Sequence, residues 1–193
     1  NVSILPNGTG EVLLKADPTA ALGAATMQYV DNSISAASTA AAKNPARVAT
    51  VAALPSYVQA GTGAGATLTA SINSSINDTG VDGIMDLIVA DRVLVTTDGS
   101  TSDVHNGIYT VTTVGSGAAK WVLTRAVDSD TSGDLVPGSL LVVTEGVAAA
   151  DTIYTVTSND AITFDTTAIV WGDVASNITS VGVLDSGSIT SNF

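Results

Sequence analysis

The sequence predicts a mainly β protein. A small antiparallel β-sandwich or barrel is preceded by a β-turn segment and an Ala-rich, coiled-coil-like helix, and followed by an extended, intertwined β tail. Three observations carry this. Between residues 91 and 145 four apolar runs, 92–95, 107–111, 121–124 and 139–143, are each bounded by Gly, Asp, Asn, Ser or Pro, the residues that make turns. Similar short runs recur on either side at about 8–12 residue spacing, which a sandwich or small barrel closes most naturally. The composition agrees: hydrophobic residues make up 45% of the 193 but aromatics only 4%, so the strands are built from small side chains that pack closely.

In chain order, residues 1–16 read as two short strands about a Pro6-Asn7-Gly8 turn, an N-terminal anchor. Residues 17–44 read as a helix: Asp17 can cap it, Pro18 suits its first position, and its alanines favour it. Gly23, Met27, Val30, Ile34, Ala37 and Ala41 recur at four- and three-residue steps, the spacing of a heptad seam. The seam is made of small residues and would be marginal alone in water, so it is expected to pack on copies of itself or on another body. Asn44-Pro45 ends it.

Residues 46–174 form the expected β domain. Its first strand is placed at 47–51, a Gly loop at 60–66, a further strand at 67–76, and a short strand or turn at 81–88. Strands at 151–157 and 161–171 follow the four central runs. Residues 175–193 are too sparsely apolar to fold alone and read as a shaft strand, with Ile178, Val181 and Ile189 among its apolar positions.

Charge excludes several functions. The net charge is −12, from 6 Lys+Arg against 18 Asp+Glu. Such a chain repels phosphate backbones, so no nucleic acid is expected as a partner. No apolar run approaches the roughly 20 residues of a membrane span, so no membrane insertion is expected. With no Cys there are no disulfides and no thiolate metal sites. The absence of an initiator Met and a start in mid-pattern suggest a piece of something longer.

The chemistry-bearing residues each have a plain structural reading that is favoured. His105, the only His, follows Asp103 by two residues, but the segment is turn sequence and no G-x-S-x-G elbow accompanies it. Asp128, Asp130 and Asp134 could ligate Ca²⁺, yet no Glu stands at the twelfth position of an EF-hand loop, and a solvated turn is expected instead. The glycines at 61, 63 and 65 lack the Lys-Ser/Thr of a phosphate loop. Trp121 and Trp171 could stack on sugars, but both lie within apolar strand patterns and are expected in the core, as are Tyr109 and Tyr154. Arg92 or Arg125 is expected to pair with Asp128 or Asp130. No catalytic, cofactor or metal residue is therefore expected.

Three stretches resemble a known family. Residues 16–31, ADPTAALGAATMQYVD, are similar to a helix that recurs in bacteriophage tail-fibre and tail-associated proteins, with Met27 where Lys is common. Residues 47–174 resemble a phage tail-fibre β domain. The matching pieces are Asp82-Gly83, the DRVLV run at 91–95, NGIYTV at 106–111, Trp121, LTRA at 123–126, Asp128, Asp130, Pro137-Gly138, Val142-Val143 and Glu145-Gly146. The tail at 178–190 is similar to segments that continue into trimeric β shafts. The resemblance implies a non-enzymatic, homotrimeric structural protein of the virion tail, without cofactor, that links other tail or baseplate proteins to a distal receptor-binding tip. The trimer interface is then expected at Met27, Val30, Ile34, Ala37, Ala41, Ile178, Val181 and Ile189. An alternative is that the β domain is itself an adhesin for a host-surface glycan or protein, or that the trimer is a capsid or collar fibre. A depolymerase is disfavoured, because Glu occurs only at Glu11 and Glu145 and no carboxylate pair stands out.

Overall fold

A computed structural model describes residue 30, residues 42–100 and residues 102–175. The chain divides into two units, Asn1–Thr39 and Ala40–Phe193. The described residues of the second unit hold nine strands: β1 (Val48–Ala49), β2 (Tyr57–Ala60), β3 (Thr67–Ala70), β4 (Arg92–Val95), β5 (Gly107–Thr113), β6 (Val122–Arg125), β7 (Leu140–Val143), β8 (Thr152–Val156) and β9 (Trp171–Asp173).

The strands form two sheets, of order β1-β4-β5-β6-β3-β2 and β7-β8-β9. All pairings are antiparallel except β1 with β4, which is parallel (Val48 opposite Val93). The four central runs are all strands, but they do not make one core sheet: β4, β5 and β6 are neighbours, whereas β7 opens the second sheet. The architecture is thus an open, mixed sandwich and not a closed antiparallel barrel.

Alternation along the strands explains the layering, because successive side chains point to opposite faces. Leu94 and Ile108 face the second sheet and pack with Leu141, Val143, Val156, Trp171 and Ile169. Val93, Val95, Tyr109, Val111 and Leu123 point the other way. That second face is covered not by strands but by an irregular segment that contributes Ile76, Val81 and Leu87. Within it Ser75 and Asp78 cap the 3-10 turn Ile76–Asp78 reciprocally, satisfying backbone donors at the turn's start. Each fully buried aliphatic side chain contributes roughly 1.5–3 kcal/mol. The six-stranded sheet, apolar on both faces, is therefore the structural centre.

The expected helix at 17–44 is corrected at its end; residues 17–29 and 31–41 lie outside the described residues. Val30 is helical. Ala42, Lys43 and Asn44 are not: Ala42 bridges Leu140 in parallel, and the Lys43 N–H donates to the Leu140 carbonyl at 2.9 Å. Pro45 is the physical reason, since it disfavours helical backbone at the residue before it and leaves this stretch extended. Ala46 bridges Val143, again in parallel, and two residues on β1 pairs with β4. One extended segment thus passes from the edge of the small sheet to the edge of the large one.

Other expectations shift locally. The strand expected at 67–76 stops at Ala70, and that expected at 161–171 begins only at Trp171. Residues 81–88 form a tight Val81–Ile84 bridge and no strand. Strand β2 was not expected.

The small sheet also sets chain direction. The entering segment runs parallel to β7, β8 runs against it, and β9 runs with it. The chain enters level with Leu140, and at Val174 it is level with Ile153, the partner of Val142. Entry and exit lie on opposite edges of one sheet, about 14 Å apart at three strand spacings, and point the same way.

Candidate functional site

Side chains of possible chemical interest gather at three places. At the first, the β4–β5 loop carries His105 against β2. Its Nδ1 stands 3.0 Å from Tyr57 Oη and 3.4 Å from Asp98 Oδ2, and its Nε2 is 4.0 Å from Asp165 Oδ1. Asp98 is fully buried, and its oxygens accept the backbone N–H groups of Ser100 (2.6 Å) and His105 (3.2 Å). Burial, and then the nearby Asp98, push the Tyr57 phenol well above its usual range. A cleft of about 400 Å³ opens here, bordered by Tyr57, Gln59, Ser100 and His105. Asp103, the carboxylate nearest in sequence, is not among these partners; its carbonyl accepts from Ile169 N–H. The Ser100 hydroxyl meets Ser102 and the Asp103 N–H. The arrangement holds a His–Asp pair and pins a loop to β2.

The second place is Arg47, at the crossover between the sheets. Its guanidinium meets Asp86 (2.6 Å), Asp91 (2.7 Å) and Glu145 (3.0 Å). The hydrogen bonds to Asp91 and Glu145 hold it firmly in the charged form. Sequence reading missed this hub, whose partners lie 39, 44 and 98 residues away. Nearby, Arg92 Nη2 sits 2.9 Å from both oxygens of Asp128, and Asp128 also accepts the Asn44 N–H at 3.0 Å. The Arg92–Asp128 pairing is one of those expected from the sequence.

Arg125 is the third place and departs from expectation. It is buried, with no carboxylate within ion-pair distance among the described residues. Its guanidinium lies 4.8 Å from the Tyr109 ring centre and 4.4 Å from that of Phe164, and its Nη2 donates to Tyr109 Oη at 2.8 Å. A Cβ at residue 107 would collide with Nη1, so Gly107 makes the space the cation occupies. The aromatic faces make its close contacts, while Asp130, beyond ion-pair distance, still feels its charge.

The remaining candidates resolve simply. Asp128 faces Arg92 while Asp134 caps the turn at Thr131, and no three acidic or histidine side chains among the described residues come together to hold a metal ion. Gly61, Gly63 and Gly65 have positive φ and turn the chain from β2 into β3; a Cβ at Gly63 would lie 2.7 Å from the Asp130 carbonyl. Trp121 and Trp171 are buried in the two cores. Tyr109 is fully buried, and Tyr154 is half-buried against the inter-sheet core.

Of the expected trimer-interface residues, Met27, Ile34, Ala37, Ala41, Ile178, Val181 and Ile189 lie outside the described residues. Val30 is described, helical and exposed on the single chain. Comparison with protein-family models, with curated proteins and with solved structures found no match.

Proposed function

We propose that this chain is a segment of a trimeric bacteriophage tail fibre, a non-enzymatic virion component that joins the tail to a distal receptor-binding tip. The carrying observation is the in-line course of the chain through the small sheet. A unit entered on one edge and left on the other in the same direction can be strung along a fibre axis without reversing the chain. The motif resemblance at 16–31 and 47–174 adds to this. The ion pairs support it too, because Arg92–Asp128 and the Arg47 hub fasten the entering segment and so resist a pull along that axis.

Two measurements test the reading. Sedimentation equilibrium of the full chain should give a trimer; a monomer at micromolar concentration overturns it. An antibody fragment raised against the chain should decorate the fibres of the virions in electron micrographs, and label confined to other structures assigns the chain elsewhere on the particle. A second reading, that the β unit itself grips a host-surface glycan or protein, has one observation in its favour, the cleft bordered by Tyr57, Gln59, Ser100 and His105. Glycan-array binding that is lost in Tyr57→Ala would carry it.

A further inference from the structure

Residues 157–170 join β8 to β9 without forming a strand, and they leave the small sheet to cover one end of the large one. The base of this loop is closed on itself. The Thr157 N–H donates to the Val170 carbonyl at 2.8 Å, and the Ser158 hydroxyl donates to the Ala168 carbonyl at 2.8 Å. Its tip is a turn in which the Thr167 N–H donates to the Thr163 carbonyl at 2.8 Å. Ile162, Phe164 and Ile169 pack beneath it in the inter-sheet core. The loop is thus a compact body with its own internal bonds and an apolar underside. Its hold on the large sheet is made through loops. Thr62 Oγ1 donates to Asp165 Oδ2 at 2.7 Å, the Ile169 N–H to the Asp103 carbonyl at 3.0 Å, and Asn106 Nδ2 to the Ile169 carbonyl at 3.0 Å.

We infer that residues 157–170 are a lid that swings open as one body about its closed base and uncovers Arg125. Three observations carry this, and none depends on the fibre reading. The two ends of β4 are fastened unequally. Where β4 begins, Arg92 pairs with Asp128, and Arg47 with Asp86, Asp91 and Glu145. Past its other end the lid is held by the three hydrogen bonds above, and His105 Nε2 reaches Asp165 only at 4.0 Å. At the tip, Asp165 has a φ of +60°, a conformation that costs an L side chain energy and that the closed lid has to hold. Finally, the lid covers polar groups whose bonding capacity is unmet. Arg125 Nε and Asn106 Oδ1 have no hydrogen-bond partner among the described residues, although both residues are buried. Opening brings water to them, and that hydration offsets the exposure of Phe164 and Ile169. The opened form presents the Arg125 guanidinium beside Tyr109 and without Phe164. The two sheets then part at one end of β4 while the ion pairs hold the other.

Amide hydrogen exchange of the full chain tests the lid. The Ile169 amide reports opening, because its acceptor lies on the β4–β5 loop, while the Thr157 and Thr167 amides report the integrity of the loop itself. The Val111 amide, which donates to the Asp91 carbonyl, reports the core. Thr62→Val removes the hydroxyl bond to Asp165 and should speed exchange at Ile169 by about five- to tenfold, leaving Thr157, Thr167 and Val111 as they were. Thr62→Ser keeps the hydroxyl and should match the wild type. Because the chain has no Cys, an introduced thiol gives a second readout. Ile162→Cys should react with a maleimide in the native chain, and faster by the same factor when combined with Thr62→Val. Val143→Cys, in the same core but on β7, should stay unreactive. Unchanged exchange at Ile169, equal acceleration at Val111, loss of Thr157 protection together with that of Ile169, or a thiol at 162 as unreactive as one at 143 each overturns the lid.

Discussion

Replacing Arg125 tests the claim that this buried cation is held by aromatic faces and packing instead of by an acid. Arg125→Ala removes the Nη2–Tyr109 Oη hydrogen bond at 2.8 Å, contacts with the Tyr109 and Phe164 rings at 4.8 and 4.4 Å, and the volume of the side chain. A hydrogen bond to a charged group is worth about 1.5–3 kcal/mol. Each desolvated ring contact adds about 1–2 kcal/mol. Against these stands relief from keeping an unpaired cation out of water, worth several kcal/mol. Cavity formation adds to the loss, so the net cost should be about 3 kcal/mol. Arg125→Met behaves differently. It keeps the stem volume and buries no charge, while the Tyr109 hydroxyl still donates to the His105 carbonyl at 2.5 Å. Its cost should stay below about 1.5 kcal/mol. Urea unfolding followed by the fluorescence of buried Trp121 and Trp171 measures both variants, and the cost of Arg125→Met should be insensitive to salt. If Met costs as much as Ala, or if its cost shrinks at high salt, an ionic partner holds Arg125 and the reasoning fails.

Two further outcomes rest on the same geometry. Asp128→Asn leaves Arg92 with a neutral acceptor and should cost about 1–2 kcal/mol. The amides of Lys43 and Ala46, which donate to Leu140 and Val142, should then exchange with deuterium faster than those of β4, and unchanged exchange would show that Asp128 does not hold the entering segment. Stability should also fall at high pH. Burial pushes the Tyr109 phenol up to about 12, against the pull of Arg125. The folded value exceeds the unfolded one near 10, so the unfolded chain loses its proton first. The stabilisation is complete below pH 10 and is lost as pH rises through 12, by roughly 1.4 kcal/mol per unit. Tyr109→Phe should flatten this slope in urea midpoints read from pH 9 to 12; an identical slope rules out Tyr109 as its source.

How much the sequence revealed depended on how local each feature is. Strands β4 to β7 were legible because each pairs an apolar run with its own turn residues. Their division between two sheets was not, since alternation says that a strand has two faces and not which neighbour it takes. The parallel β1–β4 pairing joins residues more than forty positions apart and leaves no local sign. Strand β2 escaped because two of its four residues are exposed and the other two only half-buried, and because they follow Pro55-Ser56 as though continuing a turn. The Arg92–Asp128 pair was legible because cations are so few here that each invites the question of its partner. For Arg125 the same question pointed to an acid where the chain supplies Tyr109 and Phe164. Proximity in sequence is also no guide at His105, whose partner Asp98 lies seven residues back while Asp103 lies two.

Strand β7 shows where local pattern and single-chain structure pull apart. An exposed strand in an acidic protein is most simply kept soluble by a charge on its outer side, as edge and surface strands commonly are. Here Leu140 and Val142 occupy the outer positions and their cross-strand neighbours are Thr155 and Ile153. Four partly exposed apolar side chains, Leu140, Val142, Ile153 and Val170, nevertheless stay within the patch that a single folded chain ordinarily shows to solvent, and Val127, Val147 and Ile72 are each more exposed than any of them. The constraint on the strand lies at its inner positions. Leu141 and Val143 pack with Trp171 in the inter-sheet core, so a lysine at Leu140 or Val142 should leave that packing untouched, whereas a lysine at Leu141 or Val143 should not.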